Sequence, residues 1–161
     1  MTSTTQSASA YGGLSRGPGL PDPQRESGFY RAVSLKRGLA CLIDIALIFL
    51  LAVVILPFTA FTALFFFPLF MGVVGFLYRW ATLSRKSATW GMRFMAIQLR
   101  DQDGMKLSGM TALLHVAGFY ISVAVFPLGL ISAGLMVLRG RGQGLTDMLL
   151  GTAMINRPAE Y

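Results

Sequence analysis

From residue 39 onward the chain is organised in long apolar blocks separated by short polar joints, and single-residue alternation is confined to brief stretches. Three blocks, residues 39–58, 60–78 and 110–138, carry almost no charge. A membrane helix needs about 20 mostly apolar residues, because each adds about 1.5 Å towards roughly 30 Å of hydrocarbon. All three blocks reach that length. The pattern predicts an all-α integral membrane protein: a helical hairpin with membrane segments at about 38–57 and 60–78, then a third segment at about 110–138.

Two prolines modify this outline. Pro68 falls inside the second block and predicts a local kink there. The third block holds Pro127 and Gly129. As one helix its 29 residues would run about 43 Å, which fits only with strong tilt or protruding ends. Broken at 126-FPLG-129, it gives two shorter arms, about 110–125 and 128–138, suited to a re-entrant or tilted hairpin. The broken form is the favoured reading, giving three to four membrane helices.

The polar joint 79–109 is the only sizeable hydrophilic stretch in the second half. Thr89 is placed to cap a short helical turn over 90–95, with Trp90 and Phe94 on one side as an interfacial anchor. Residues 95–100 then alternate, with Met95, Ile97 and Leu99 on one face, and 101-DQDG-104 reads as a turn. The sequence predicts a short amphipathic strand on the cytoplasmic face. A second brief strand is expected at 152–156, after a short helix over 144–151, and the two strands are candidates to pair.

Residues 1–28 are rich in Ser, Thr, Gly and Pro and read as a disordered tail, leaving 29–157 as the membrane domain and 158–161 as a C-terminal tail. No cleavable signal peptide is evident, so the first span is expected to act as its own insertion signal.

The net charge of +7 and a pI near 10 would suggest nucleic acid in a soluble domain. Here the basic residues collect at the ends of apolar blocks: Arg31, Lys36 and Arg37; Arg79, Arg85, Lys86, Arg93 and Arg100; Arg139 and Arg141. That is the distribution of the positive-inside rule, with anionic headgroups as partners. It places the N-terminus, both ends of the hairpin and, with a broken third block, the C-terminus in the cytoplasm. Nucleic acid is not an expected partner. The single cysteine, Cys41, excludes a disulfide framework within the chain. No catalytic triad, phosphate loop or paired carboxylates occur in a polar domain, so no enzyme, cofactor or metal site is predicted.

The unusual charges lie inside the blocks. Asp44 sits in the first span, and a carboxylate there costs up to about 2.5–3.5 kcal/mol on insertion scales unless a partner or water offsets it. Arg37, two turns earlier, faces the same way, but about 10.5 Å of backbone separates the two, too far for a direct pair. Asp44 is either a cation or proton site or a packing anchor hydrogen-bonded to another segment. Arg37 reads best as an orientation-setting charge. Asp147 stands near the start of a short helix, where it complements the dipole and free amides, with Arg139 or Arg141 as a candidate partner. His115, alone in the third block, suits a helix-to-helix hydrogen bond better than a proton relay.

Three stretches also form a known pattern. The run 37-RGLACLIDIAL-47 sets an Arg ahead of a buried Asp, 89-TWGMRFMAIQLRDQDG-104 follows the second span, and 142-GQGLTDMLLGTAMI-155 comes last. Together they resemble the RDD family of bacterial multi-pass membrane proteins, named for one Arg and two Asp. The resemblance maps these onto Arg37, Asp44 and Asp147, and the family's Thr-x-Gly-x-Arg, Asp-Gly and Gly-Thr elements onto Thr89, Gly91, Arg93, Asp103, Gly104, Gly151 and Thr152. Thr146 stands where a His is common, and His115 is the nearest counterpart of a common Arg. The resemblance implies a bacterial inner membrane and a role in transport of ions or small ligands. Two functions follow: a small, homo-oligomeric transporter using Asp44, or a non-transporting accessory or scaffold subunit that binds lipid headgroups or a membrane protein partner.

Overall fold

The computed structural model describes residues 19–138 and 141–157. Its first long helix, α1 (Val33–Ile55), buries a narrow stripe at Val33, Ala40, Asp44, Ile48 and Ala52. The four-residue spacing keeps that stripe on one side. The rest of its surface, including Leu42, Leu50 and Val54, is apolar and exposed, as on a helix facing lipid.

The turn after α1 is longer than the sequence suggests. Two short 3-10 turns, Leu56–Thr59 and Thr62–Phe66, are joined through Ala60 and Phe61 in left-handed conformation. The second helix, α2 (Phe67–Lys86), therefore starts seven residues later than the expected block and ends eight residues later. Pro68 does not kink it. It occupies the first turn, where a missing N–H breaks no helical bond and its fixed φ suits helix initiation. This shift moves Arg79 from the expected end of a span to two turns inside the helix.

Thr89 caps α3 (Trp90–Phe94) by accepting from the Met92 N–H at 3.2 Å. Trp90 and Phe94 are exposed. Strand β1 (Ile97–Arg100) follows, and the next turn is tied by the Asp101 carboxylate to the Met105 N–H at 2.7 Å and the Asp103 N–H at 3.1 Å. Gly104 supplies the positive φ of +72° that this turn requires.

The third apolar block is broken as the Pro and Gly foretell. Helix α4 (Gly109–Ala124) and helix α5 (Phe126–Leu138) meet at 115° across Val125, with Pro127 in the first turn of α5. Ser108 caps α4 through the Thr111 N–H. After α5 come α6 (Leu145–Leu150) and β2 (Ala153–Asn156). The two strands pair antiparallel, with Ile97 opposite Asn156 and Leu99 opposite Met154.

The main core lies under this sheet: Ile97, Leu99 and Met154 are fully buried with Val33, Ala40, Leu83, Leu107, Ala112 and Val116. Residues 19–28, expected to belong to the tail, instead cover the other side of the sheet. Leu20 packs on Phe29, Tyr30, Ala153 and Ile155, and the Tyr30 hydroxyl donates to the Pro21 carbonyl at 2.8 Å. Phe29 and Tyr30, just after this segment, supply with Leu20 the apolar surface that settles it there. The tails at 1–18 and 158–161 lie outside the described residues.

By length and composition, α1 and α2 can each cross a membrane, and the bent α4–α5 pair counts as a broken span or a re-entrant loop. The fold is mostly helical with one small sheet.

Candidate functional site

The first carboxylate, Asp44, is 1% exposed on the inner stripe of α1. Three donors hold it: the Thr89 hydroxyl at 2.6 Å, the Tyr78 hydroxyl at 2.8 Å and the Gly91 N–H at 2.9 Å. The Tyr78 hydroxyl in turn accepts from the Trp90 N–H at 3.1 Å. These bonds tie α1 to the end of α2 and to the start of α3, with the free amides of α3 aimed at the negative charge. Contact is so close that a Cβ on Gly91 would stand 2.3 Å from the Ala40 carbonyl oxygen and 2.9 Å from Asp44 Oδ1. Only glycine fits.

The second carboxylate, Asp147, is fully buried in the first turn of α6. Its Oδ2 accepts from Arg37 at 2.5 Å and from the Gly144 N–H at 3.0 Å, and its Oδ1 accepts from the Thr152 hydroxyl at 3.3 Å. The helix-start role expected for Asp147 is therefore seen, but its basic partner is Arg37. Arg141 is not paired with it, and Arg139 lies outside the described residues. Arg37 also donates to the Gly142 carbonyl at 3.3 Å. His115 approaches the same carboxylate from α4, its Nδ1 3.5 Å from Asp147 Oδ1 but without hydrogen-bond geometry.

Between the two clasps lies a cavity of about 330 Å³. Arg37, Asp44, Thr89, Arg79 and His115 form its polar wall, and Cys41, Leu83, Val116, Phe119 and Met136 are among its apolar lining. Arg79 was expected among headgroups. It is 8% exposed and faces this cavity, its guanidinium 4.6 Å over the Phe119 ring. Its position two turns before the end of α2 accounts for that inward placement.

The remaining basic candidates stay at the periphery. Arg85 and Lys86 are exposed in the last turn of α2, Arg93 stacks on Trp90 at 4.6 Å, and Arg100 donates to the Gly104 carbonyl at 3.4 Å. Among the described residues no group of three His, Cys, Asp or Glu is arranged to hold a metal.

The model of the RDD family matches residues 31–151 of this chain. The chain belongs to the RDD family. No curated protein and no solved structure matches it. The Arg and two Asp singled out by the resemblance do not form one cluster. Arg37 and Asp147 pair, while Asp44 takes its donors from the Thr-x-Gly element at Thr89 and Gly91. The two positions at which the resemblance reads as imperfect fall around the second clasp: His115 stands beside Asp147, and Thr146 packs where a Cβ on Gly118 would meet it at 2.6 Å. Sequence reasoning missed Tyr78 and the inward turn of Arg79. The position of Pro68 was the signal for Arg79, because a helix that starts at Pro68 extends past residue 79.

Proposed function

We propose that this RDD protein takes a small solute into the cavity between its two clasped carboxylates, as the binding step of transport. The observation that carries the reading is a cavity of about 330 Å³ walled by buried charged side chains within helices suited to a membrane. Charge at that depth is costly, and it is ordinarily kept where it faces a solute or water. Asp44 on this reading forms part of the wall rather than an open cation site, because three donors already occupy it.

The strand pairing supports a topology. Because β1 precedes α4 and β2 follows α5, their pairing holds both flanks of the bent segment on one face, which suits a re-entrant loop. With Lys36, Arg37, Arg85 and Lys86 at the same end, that face is cytoplasmic under the positive-inside rule, as in a bacterial inner membrane. A cavity this size in so small a chain favours a homo-oligomer as the transporting unit.

Proteoliposome flux tests the reading. The panel covers protons with monovalent cations, small organic anions and small neutral solutes. Gly38 lines the cavity, and a Cβ there would meet nothing within 4 Å, so Gly38→Phe fills the space while keeping every charge. Wild-type flux of at least one solute, lost in folded Gly38→Phe, is the expected result. No flux from folded wild type would favour the second reading, an accessory or scaffold subunit, which the saturated hydrogen bonding of Asp44 also suits. Loss of partner or lipid association on Arg93 and Arg100 substitution would then identify its contact face.

A further inference from the structure

Among the cavity's charged groups, Arg79 differs in its bonding. Asp147 is matched by Arg37, and Asp44 by three neutral donors. Arg79 takes part in no ion pair among the described residues, and its buried Nε has no hydrogen-bond partner. One face of its guanidinium is covered by Phe119, and the Tyr120 hydroxyl lies beside it. A nine-tenths buried cation with an unused donor, lining a cavity, is the arrangement of an anion site.

The surroundings narrow the ligand. A planar guanidinium fork matches a carboxylate with two parallel bonds. The space beyond it is apolar at Leu83, Val116 and Met136, so it favours a short hydrocarbon body over a hydrated inorganic ion. We propose that the cavity binds a small organic monocarboxylate, with Arg79 holding the carboxylate and the apolar wall holding its body. This rests on the cavity being open to solutes, as in the function proposed above.

Cys41 provides a readout, because it is the single cysteine and lines the cavity. The full chain in lipid nanodiscs is treated with an anionic sulfonatoethyl and a cationic trimethylammonioethyl methanethiosulfonate. Each rate is normalised to that of free cysteine. The anionic reagent is expected to react faster, and butyrate is expected to slow it more than chloride does. Arg79→Gln should weaken butyrate protection by about tenfold or more, the worth of a charge-assisted bidentate contact. Arg79→Lys should retain the charge preference with weaker protection.

Reaction with neither reagent would close the cavity to solutes and overturn both this proposal and the functional reading. A faster cationic reagent, no protection by butyrate, or equal protection by chloride would overturn the carboxylate assignment while leaving an open cavity in place. If Arg79→Gln does not fold, the wild-type charge preference and butyrate protection still decide.

Discussion

The two buried aspartates solve the same problem by different means. Asp147 is met by a cation from α1, 110 residues away in sequence, together with donors from its own helix start and from Thr152. Asp44 has no cation against it and is held by two hydroxyls and an amide from a segment 34 to 47 residues on. One clasp joins distant parts of the chain through charge, and the other packs neighbouring parts through polarity and close approach. The difference shows which helix contacts depend on net charge and which on shape. It also leaves Arg79, on the wall of the cavity between them, outside both clasps.

The contrast makes the charged clasp the more fragile to single changes. Removing Arg37 leaves Asp147 buried without its cation, so Arg37→Met should destabilise the chain by about 3–5 kcal/mol, with much of that recovered on adding Asp147→Asn. Unfolding in mild detergent against SDS or temperature measures both variants. Full loss without recovery would mean that the pair is not what holds α6 to α1.

At the neutral clasp, Thr89→Val removes a bond to a charged acceptor and the cap of α3, for an expected cost of about 2–4 kcal/mol. Gly91→Ala follows at about 1–3 kcal/mol of overpacking, because backbone at Ala40 blocks the added methyl group. A Gly91→Ala protein as stable as wild type would show that α3 is not seated against α1. The smallest effect is expected outside both clasps. Lys36→Met loses a 2.6 Å bond to Asn156 and should cost under about 1 kcal/mol in the same assay.

Much of the fold was legible because local rules acted alone. The hairpin, the break at Pro127, the Asp101 turn, the Thr89 cap and the existence of the two strands each follow from a pattern within a few residues, and the strands expected as candidates to pair do so. Pro68 was misread because an apolar run shows composition and not phase. A proline within it marks a kink or a start, and the 3-10 turns before Phe67 settle which. Asp44's partners were hidden for another reason. Nothing at residue 44 indicates that a helix starting at residue 90 comes to rest against it, and the only trace is the Thr-x-Gly spacing. Leu20 lies in a stretch whose composition reads as unstructured, and only the finished sheet gives it a surface to cover.

The link between Arg37 and Asp147 also sets an order of events during synthesis. α1 and its arginine are made 110 residues before Asp147, the carboxylate that pairs with it. Until then Arg37 lacks its buried carboxylate and β1 its neighbouring strand. The last elements to be made, α6 and β2, therefore complete two contacts begun far earlier in the chain, Arg37 with Asp147 and β1 with β2.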